Sequence, residues 1–299
     1  MTIEIIAQPG SNIGQAIYMG NFEAGTQEWH DLRSLGIGGS EVGTICGLNP
    51  WESPFSLWAK KLNKIEKENV SSEAMEWGRR LESVIMEKFI EEHQELEVVS
   101  SPGTYHHKDR PWQIANPDGI AVNKQTGENI IVEIKTARYE DDWANGVPEY
   151  YRTQVLWYLQ TFGFSQAYVV ALFSGSKYRE YEVSADNFEQ EANLEKVQNF
   201  RTYLEEEKQP DFDGATSTYE TVRKLHPDIE DSEVELGDLG VYYFEALEAA
   251  SVTDKKLIEM KSRVLDAMSK SKRGLVDGAW MLTRQARSGG TPYLVNKKQ

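Results

Sequence analysis

The triplet Glu133-Ile134-Lys135 sets a carboxylate and an ammonium two residues apart within NIIVEIKTA, a run with strand-like alternation. A period of two sends Glu133 and Lys135 to one face of the strand and Val132 and Ile134 to the other. The preceding GIAV and the polar NKQTGE segment complete a hairpin pattern. Asp118 lies as far before the middle of that turn, between Gln125 and Thr126, as Glu133 lies after it, so a symmetric hairpin pairs the two carboxylates. Directly opposed residues have Cβ atoms about 5 Å apart, and two like charges there disfavour the sheet. A divalent cation resolves the conflict: Mg²⁺ prefers oxygen ligands and keeps several waters, so two carboxylates, a backbone carbonyl and a substrate phosphate suffice. Lys135 beside such a centre can orient or help deprotonate an attacking water and offset charge on phosphorus. That set of groups suits phosphodiester hydrolysis. The alternative is purely structural, with Asp118 as the acidic residue of a Pro-Asp-Gly turn and Glu133 and Lys135 as an exposed pair on an edge strand.

Other segments must bring partners to this hairpin. Residues 54–65 and 72–95 have helical spacing, the second with Met75, Leu81, Ile85 and Phe89 as its apolar stripe. Glu82 falls on the flank of that stripe, where it is either a rim carboxylate or a third acidic group for the site. After the hairpin, EYYRTQVLWYLQTFG is helical and sets Gln154 and Tyr158 one turn apart on one face. Strands over QAYVVALFS and KYREYEV and a helix over about 186–208 follow, which makes a mixed α/β core. Near the start, WHDLRSLGIGGSE puts Arg33 before a glycine-rich turn that opens a helix at Ser40. Free backbone N–H groups, a hydroxyl and a guanidinium there can hold a phosphate, although a tight turn with a capping Ser explains the same residues.

The chain has 299 residues, enough for one domain of about 200 residues and an appendage. A boundary is expected at QPDFDGATSTYE, with a first domain over 1–208 (core about 26–205) and a mainly helical extension over 209–299. In the extension Leu247, Ala250, Leu257, Met260, Val264 and Met268 recur at helical or heptad-like intervals, which fits packing onto a core or self-association. No apolar run approaches the roughly 18 residues of a membrane span, and the opening MTIEIIAQPGSNIG lacks the basic and apolar parts of a secretion signal. One cysteine, Cys46, excludes an intrachain disulfide and a four-thiolate cluster, and the expected setting is reducing and intracellular.

Net charge is −16, which speaks mildly against nucleic acid, but the charge is segregated. Residues 205–260 carry 5 basic and 16 acidic side chains, and residues 261–299 carry 9 basic and 2 acidic. Any DNA-binding surface is therefore a local patch or one that depends on bound cations.

The ordered set Trp29-His30-Asp31-Leu32-Arg33 with Ser40, Trp77-Gly78-Arg79-Arg80-Leu81-Glu82, Pro117-Asp118-Gly119, Glu133-Ile134-Lys135 and Gln154-Val155-Leu156-Trp157-Tyr158 resembles the phage lambda-type exonucleases. These are also called the YqaJ-like viral recombinase family, within the PD-(D/E)xK nucleases. The resemblance spans about residues 26–175 and implies a restriction-endonuclease-like core, with a central mixed sheet flanked by helices. It implies metal ligation by Asp118, Glu133 and the carbonyl of Ile134, with Glu82 assisting a second ion or its water and Lys135 positioning the nucleophile. Mg²⁺ is the expected ion, two per site, with Mn²⁺ as a substitute. Arg33, Ser40, Asn116, Gln154 and Tyr158 are the expected DNA contacts. Asn116 stands where the family has Ser, which weakens the case for a 5′-phosphate contact there. The implied partners are double-stranded DNA ends, further copies of the chain in a trimeric ring, and a single-strand annealing protein. An endonuclease, an end-processing nuclease on the same core, or a non-catalytic DNA clamp or recombination adaptor are the competing expectations.

Overall fold

In the computed structural model, which describes residues 8–22, 26–34, 36–66 and 72–296, contacts divide the chain into two units, Met1–Asp228 and Ile229–Gln299. The first unit begins with β1 (Asn12–Ile13), β2 (Ala16–Gly20), α1 (Gln27–Ser34), β3 (Ile37–Gly38), α2 (Gly39–Ile45), α3 (Pro54–Lys61) and α4 (Glu73–Glu92). It continues through β4 (Leu96–Ser100), β5 (Thr104–His107), β6 (Arg110–Ala115), β7 (Gly119–Asn123), β8 (Asn129–Ala137) and α5 (Glu149–Phe162). β9 (Gln166–Phe173), β10 (Lys177–Ser184), α6 (Asn187–Glu205) and α7 (Thr216–Leu225) complete it. The fold is mixed α/β, as expected.

Two five-stranded sheets carry it, in the orders β1-β2-β5-β6-β3 and β10-β9-β8-β7-β4. In the second, β8 is antiparallel to β7 and parallel to β9, and α5 is the crossover that a parallel pair requires. β8 is a central strand, not an edge. Its residues alternate between two apolar clusters: Ile130, Val132 and Ile134 pack with Ile85, Met86 and Phe89 of α4, while Ile131 joins the larger cluster that includes Leu156 and Leu159 of α5. Helices thus cover both faces.

Local chemistry fixes the element ends. Ser53 and Ser72 cap α3 and α4 by accepting from Ser56 N (3.1 Å) and Met75 N (3.2 Å), and Asp186 caps α6 from Phe188 N and Glu189 N. α5 stops at Gly163, whose φ of 70° is left-handed. In the β7–β8 turn Asn123 Oδ1 accepts from Gln125 N and Thr126 N, which holds the hairpin in the symmetric register.

The structure departs from the sequence reading at three points. The strand before the β7–β8 hairpin lies in another sheet: β6 belongs to the first sheet and β7 to the second, with Asn116-Pro117-Asp118 passing between them. Pro117 has no N–H to give a ladder, so the break falls there. β1 to β5 were not anticipated, because strands of two to five residues are too short to show a period. The unit boundary falls at Asp228 rather than 208, since α7 buries Thr218 and Thr221 against α3, with their hydroxyls bonded to Ser53 (2.7 Å) and Ser56 (2.9 Å).

The second unit holds α8 (Asp238–Met268) and a three-stranded antiparallel sheet of β11 (Arg273–Val276), β12 (Ala279–Gln285) and β13 (Tyr293–Asn296). Of the apolar series on α8, Met268 is buried while Leu247, Leu257 and Met260 are exposed within this unit. Among the described residues no helix is long and apolar enough to cross a membrane.

Candidate active site

The β7–β8 ladder pairs Gly119 with Val132 and Ile120 with Ile131, a register that brings Asp118, one residue before β7, level with Glu133. Asp118 Oδ2 accepts the Ile134 N–H at 2.7 Å, locking the carboxylate of the inter-sheet link to β8. The close fit continues at Gly119, where a Cβ would lie 2.7 Å from Met86 Cε of α4 and 3.2 Å from Val132 Cβ.

Glu133 is only 2% exposed. Its Oε1 accepts from Lys135 Nζ at 2.5 Å and from Gln154 Nε2 at 2.6 Å. Its Oε2 is buried and has no hydrogen-bond partner among the described residues. Gln154 also donates to the Tyr158 hydroxyl (3.0 Å), which donates to the Asn116 carbonyl (3.1 Å), and the Asn116 amide donates to Thr104 Oγ1. One chain of hydrogen bonds therefore runs from α5 into the inter-sheet link and to β8. Gln154, Tyr158 and Asn116 act together as the support of the Glu133 carboxylate.

Burial raises the Asp118 carboxyl well above its ordinary range, and the neighbouring Glu133 charge adds to this. Glu82 of α4 is raised for the same two reasons. For Lys135, burial works against the charged form, but Glu133 and Asp118 outweigh it and the ammonium is held more firmly than usual. Three carboxylates thus feel one another, with a single lysine among them.

A cavity of about 710 Å³ opens onto this group, lined among others by Glu82, Ile134, Lys135, Thr136, Tyr151 and Trp51. Among the described residues no three His, Cys, Asp or Glu side chains form a preformed cluster for a metal. A smaller donor set fits a hard cation nonetheless. The buried, unpartnered Glu133 Oε2 and the disfavoured charge on Asp118 are the features that a cation with oxygen ligands and several waters removes.

Not every expected residue joins the site on the same footing. Ser40 is exposed on α2 and does not cap it: Gly38 is the cap residue, and its N–H donates to Glu41 Oε2 at 2.9 Å. The side chain of Arg33, on α1, lies outside the described residues. Met75, expected in the core stripe of α4, is 58% exposed and lines the cavity.

Residues 28–165, which contain this whole constellation, match the model of the YqaJ-like viral recombinase domain. That stretch is similar to the YqaJ-like viral recombinase domain. Across 288 residues it is 25% identical to the uncharacterized protein YqaJ of Bacillus subtilis (strain 168), covering 93% of this chain and 86% of that protein. Its fold is similar to that of the alkaline exonuclease LHK-Exo from Laribacter hongkongensis, with a TM-score of 0.50 and 21% identity over 61% of this chain and 94% of that one. The same figures hold for the complex of LHK-Exo with dAMP. The fold is thus the restriction-endonuclease-like fold that LHK-Exo shares.

Tyr151 is the site residue that sequence reasoning missed. Its ring lies 4.9 Å from Lys135 Nζ, and it lines the cavity. A signal was present: Tyr151 stands three residues before Gln154 and seven before Tyr158, which is the same face of α5.

Proposed function

We propose that the chain is a Mg²⁺-dependent deoxyribonuclease that hydrolyses phosphodiester bonds at the ends of double-stranded DNA. The observation that carries the reading is the buried Glu133 carboxylate, with one oxygen held by Lys135 and Gln154 and the other unpartnered, level with Asp118 across the ladder. Asp118, Glu133 and the Ile134 carbonyl would hold the cation, with Glu82 serving a second ion or its water, and Mn²⁺ would substitute. The bound ions would lower the pKa of a coordinated water and polarise the phosphoryl oxygens. Lys135 orients the attacking water and offsets charge on the phosphate. Gln154 and Tyr158 keep Glu133 in one orientation, so its carboxylate needs no reorganisation during reaction. The likeness of fold to LHK-Exo, an alkaline exonuclease also seen with dAMP, supports this reading.

The finer reading is 5′-to-3′ digestion of one strand, leaving 3′ overhangs for single-strand annealing recombination. Arg33, Ser40 and Asn116 would receive the 5′ phosphate, and copies of the chain would form a trimeric ring that passes its product to an annealing protein. One assay tests both levels: end-labelled linear duplex with and without 5′ phosphate, beside a covalently closed circle, in Mg²⁺ and in EDTA. Mg²⁺-dependent loss of the linear duplex with the circle intact is the expected result. Cutting of the circle makes the enzyme an endonuclease, and no cutting of either overturns the nuclease reading.

A further inference from the structure

α8 is 31 residues long, about 46 Å, and its middle is exposed all round, including Tyr243, Leu247 and Leu257. A helix of this length gains most of its stability from burying an apolar stripe, which α8 does not do within its own unit among the described residues. The stripe itself is regular. Tyr243, Leu247, Ala250, Leu257, Val264 and Met268 follow the alternating four-and-three spacing of a heptad seam, interrupted at two seam positions by Asp254 and Lys261, seven residues apart. Neither makes a hydrogen bond or ion pair among the described residues. Arg263 and Glu259, by contrast, pair with each other on the opposite side of the helix.

Charge selects the occupant of this seam. A parallel second copy would set Asp254 beside Asp254 and Lys261 beside Lys261, two like-charge contacts inside an apolar seam. An antiparallel copy brings each Asp254 into reach of the partner's Lys261 and makes two opposite-charge contacts instead. The charges along α8 agree, because residues 238–253 carry three acidic and no basic side chains, and residues 254–268 carry four basic and three acidic. Reversal of direction lays the acidic half of one helix along the half of the other that holds all its basic residues. We infer that α8 is a self-association element, pairing antiparallel with α8 of a second copy through the Tyr243–Met268 seam, with the Asp254–Lys261 contacts fixing direction. The pairing is two-fold, whereas a cyclic ring uses head-to-tail contacts, so α8 would double whatever assembly the remaining surfaces build.

The test uses the full chain and measures mass by light scattering and sedimentation, with helix content by circular dichroism. Asp254→Lys and Lys261→Asp should each halve the mass of the assembly, because every inter-helix contact becomes Lys–Lys or Asp–Asp. Mixing the two single variants should restore the wild-type mass, since one copy then supplies two lysines and the other two aspartates, and restoration also shows that both variants are folded. The double variant Asp254→Lys/Lys261→Asp should associate like wild type. Wild-type mass in the single variants, or failure of both the mixture and the double variant to recover it, overturns the inference.

Discussion

Asp118 Oδ2 and Ile134 N are joined at 2.7 Å, so the carboxylate that leaves the first sheet is pinned to the backbone of the second at the residue next to Glu133. The bond places two carboxylates side by side in a site that water reaches poorly. Folding thereby accepts an electrostatic cost at one point, a pattern expected where function, not stability, sets the residue types.

Asp118→Asn should separate these two demands. An amide oxygen can still accept from Ile134 N, while the charge facing Glu133 is removed. The cation-free protein should melt at the same temperature as the parent or higher, and Mg²⁺-dependent hydrolysis should fall by roughly 10²–10³ or more, the scale of removing a charge-stabilising group. Parental activity in the variant would show that Asp118 is not part of the reacting centre.

The same carboxylate makes a pH prediction for the protein in EDTA. Its folded pKa is raised, chiefly by burial and then by Glu133, so its stabilising contribution is complete below the unfolded value of about 3.9 and is lost as pH rises through the folded value. Denaturant midpoints in EDTA should carry a component that declines on going from acid toward neutral pH. Mg²⁺ should flatten that decline, and so should Asp118→Asn without any metal. An identical pH profile in the parent and the Asn variant would remove Asp118 as its source.

Lys135→Ala deletes the one cation among Asp118, Glu133 and Glu82 and leaves Glu133 buried with only Gln154 on its Oε1. Breaking a buried pair on one side costs about 3–5 kcal/mol, and the partial exposure of Lys135 places the expected loss toward or below the lower end. Mg²⁺ should recover more of the melting temperature in this variant than in the parent, because it supplies the missing positive charge, while hydrolysis should remain down by orders of magnitude. Equal Mg²⁺-induced shifts in the two proteins would count against a cation beside Glu133.

The legible part of the site is the part set by a short-range period. Asp118 and Glu133 were placed level by hairpin symmetry alone, and the observed register agrees because Asn123 caps the turn without a bulge. Gln154 and Tyr158 could be put on one face of a helix, yet their use as support for Glu133 depends on how α5 crosses β8, which no local period encodes. Pro117 was read as part of a turn and is in fact the point where the chain changes sheets. Met75 matched the apolar spacing of α4 but lies on its first turn, in the cavity wall and outside the core, since burial of that stripe begins only further along, at Ile85. Spacing specifies a face; only tertiary contact decides what the face meets.

His107 offers a stability prediction away from the reacting groups. It is 3% exposed on β5, its Nδ1 accepts the Asp109 N–H at 3.1 Å, and burial followed by the Arg110 charge lowers its pKa to about 4. The folded protein therefore keeps the ring neutral at a pH where the unfolded chain, with a value near 6.5, binds a proton. The unfolded state holds more protons between those values, so stability rises with pH from about 4 to 6.5 and His107 contributes no slope above that window. His107→Asn retains an acceptor for Asp109 N and cannot titrate there. Its denaturation midpoint should approach or pass that of the parent as pH falls from 6.5 to 4, after a small packing loss at neutral pH. A variant whose midpoint falls with acid as steeply as the parent's would assign the acid sensitivity of this sheet to other groups.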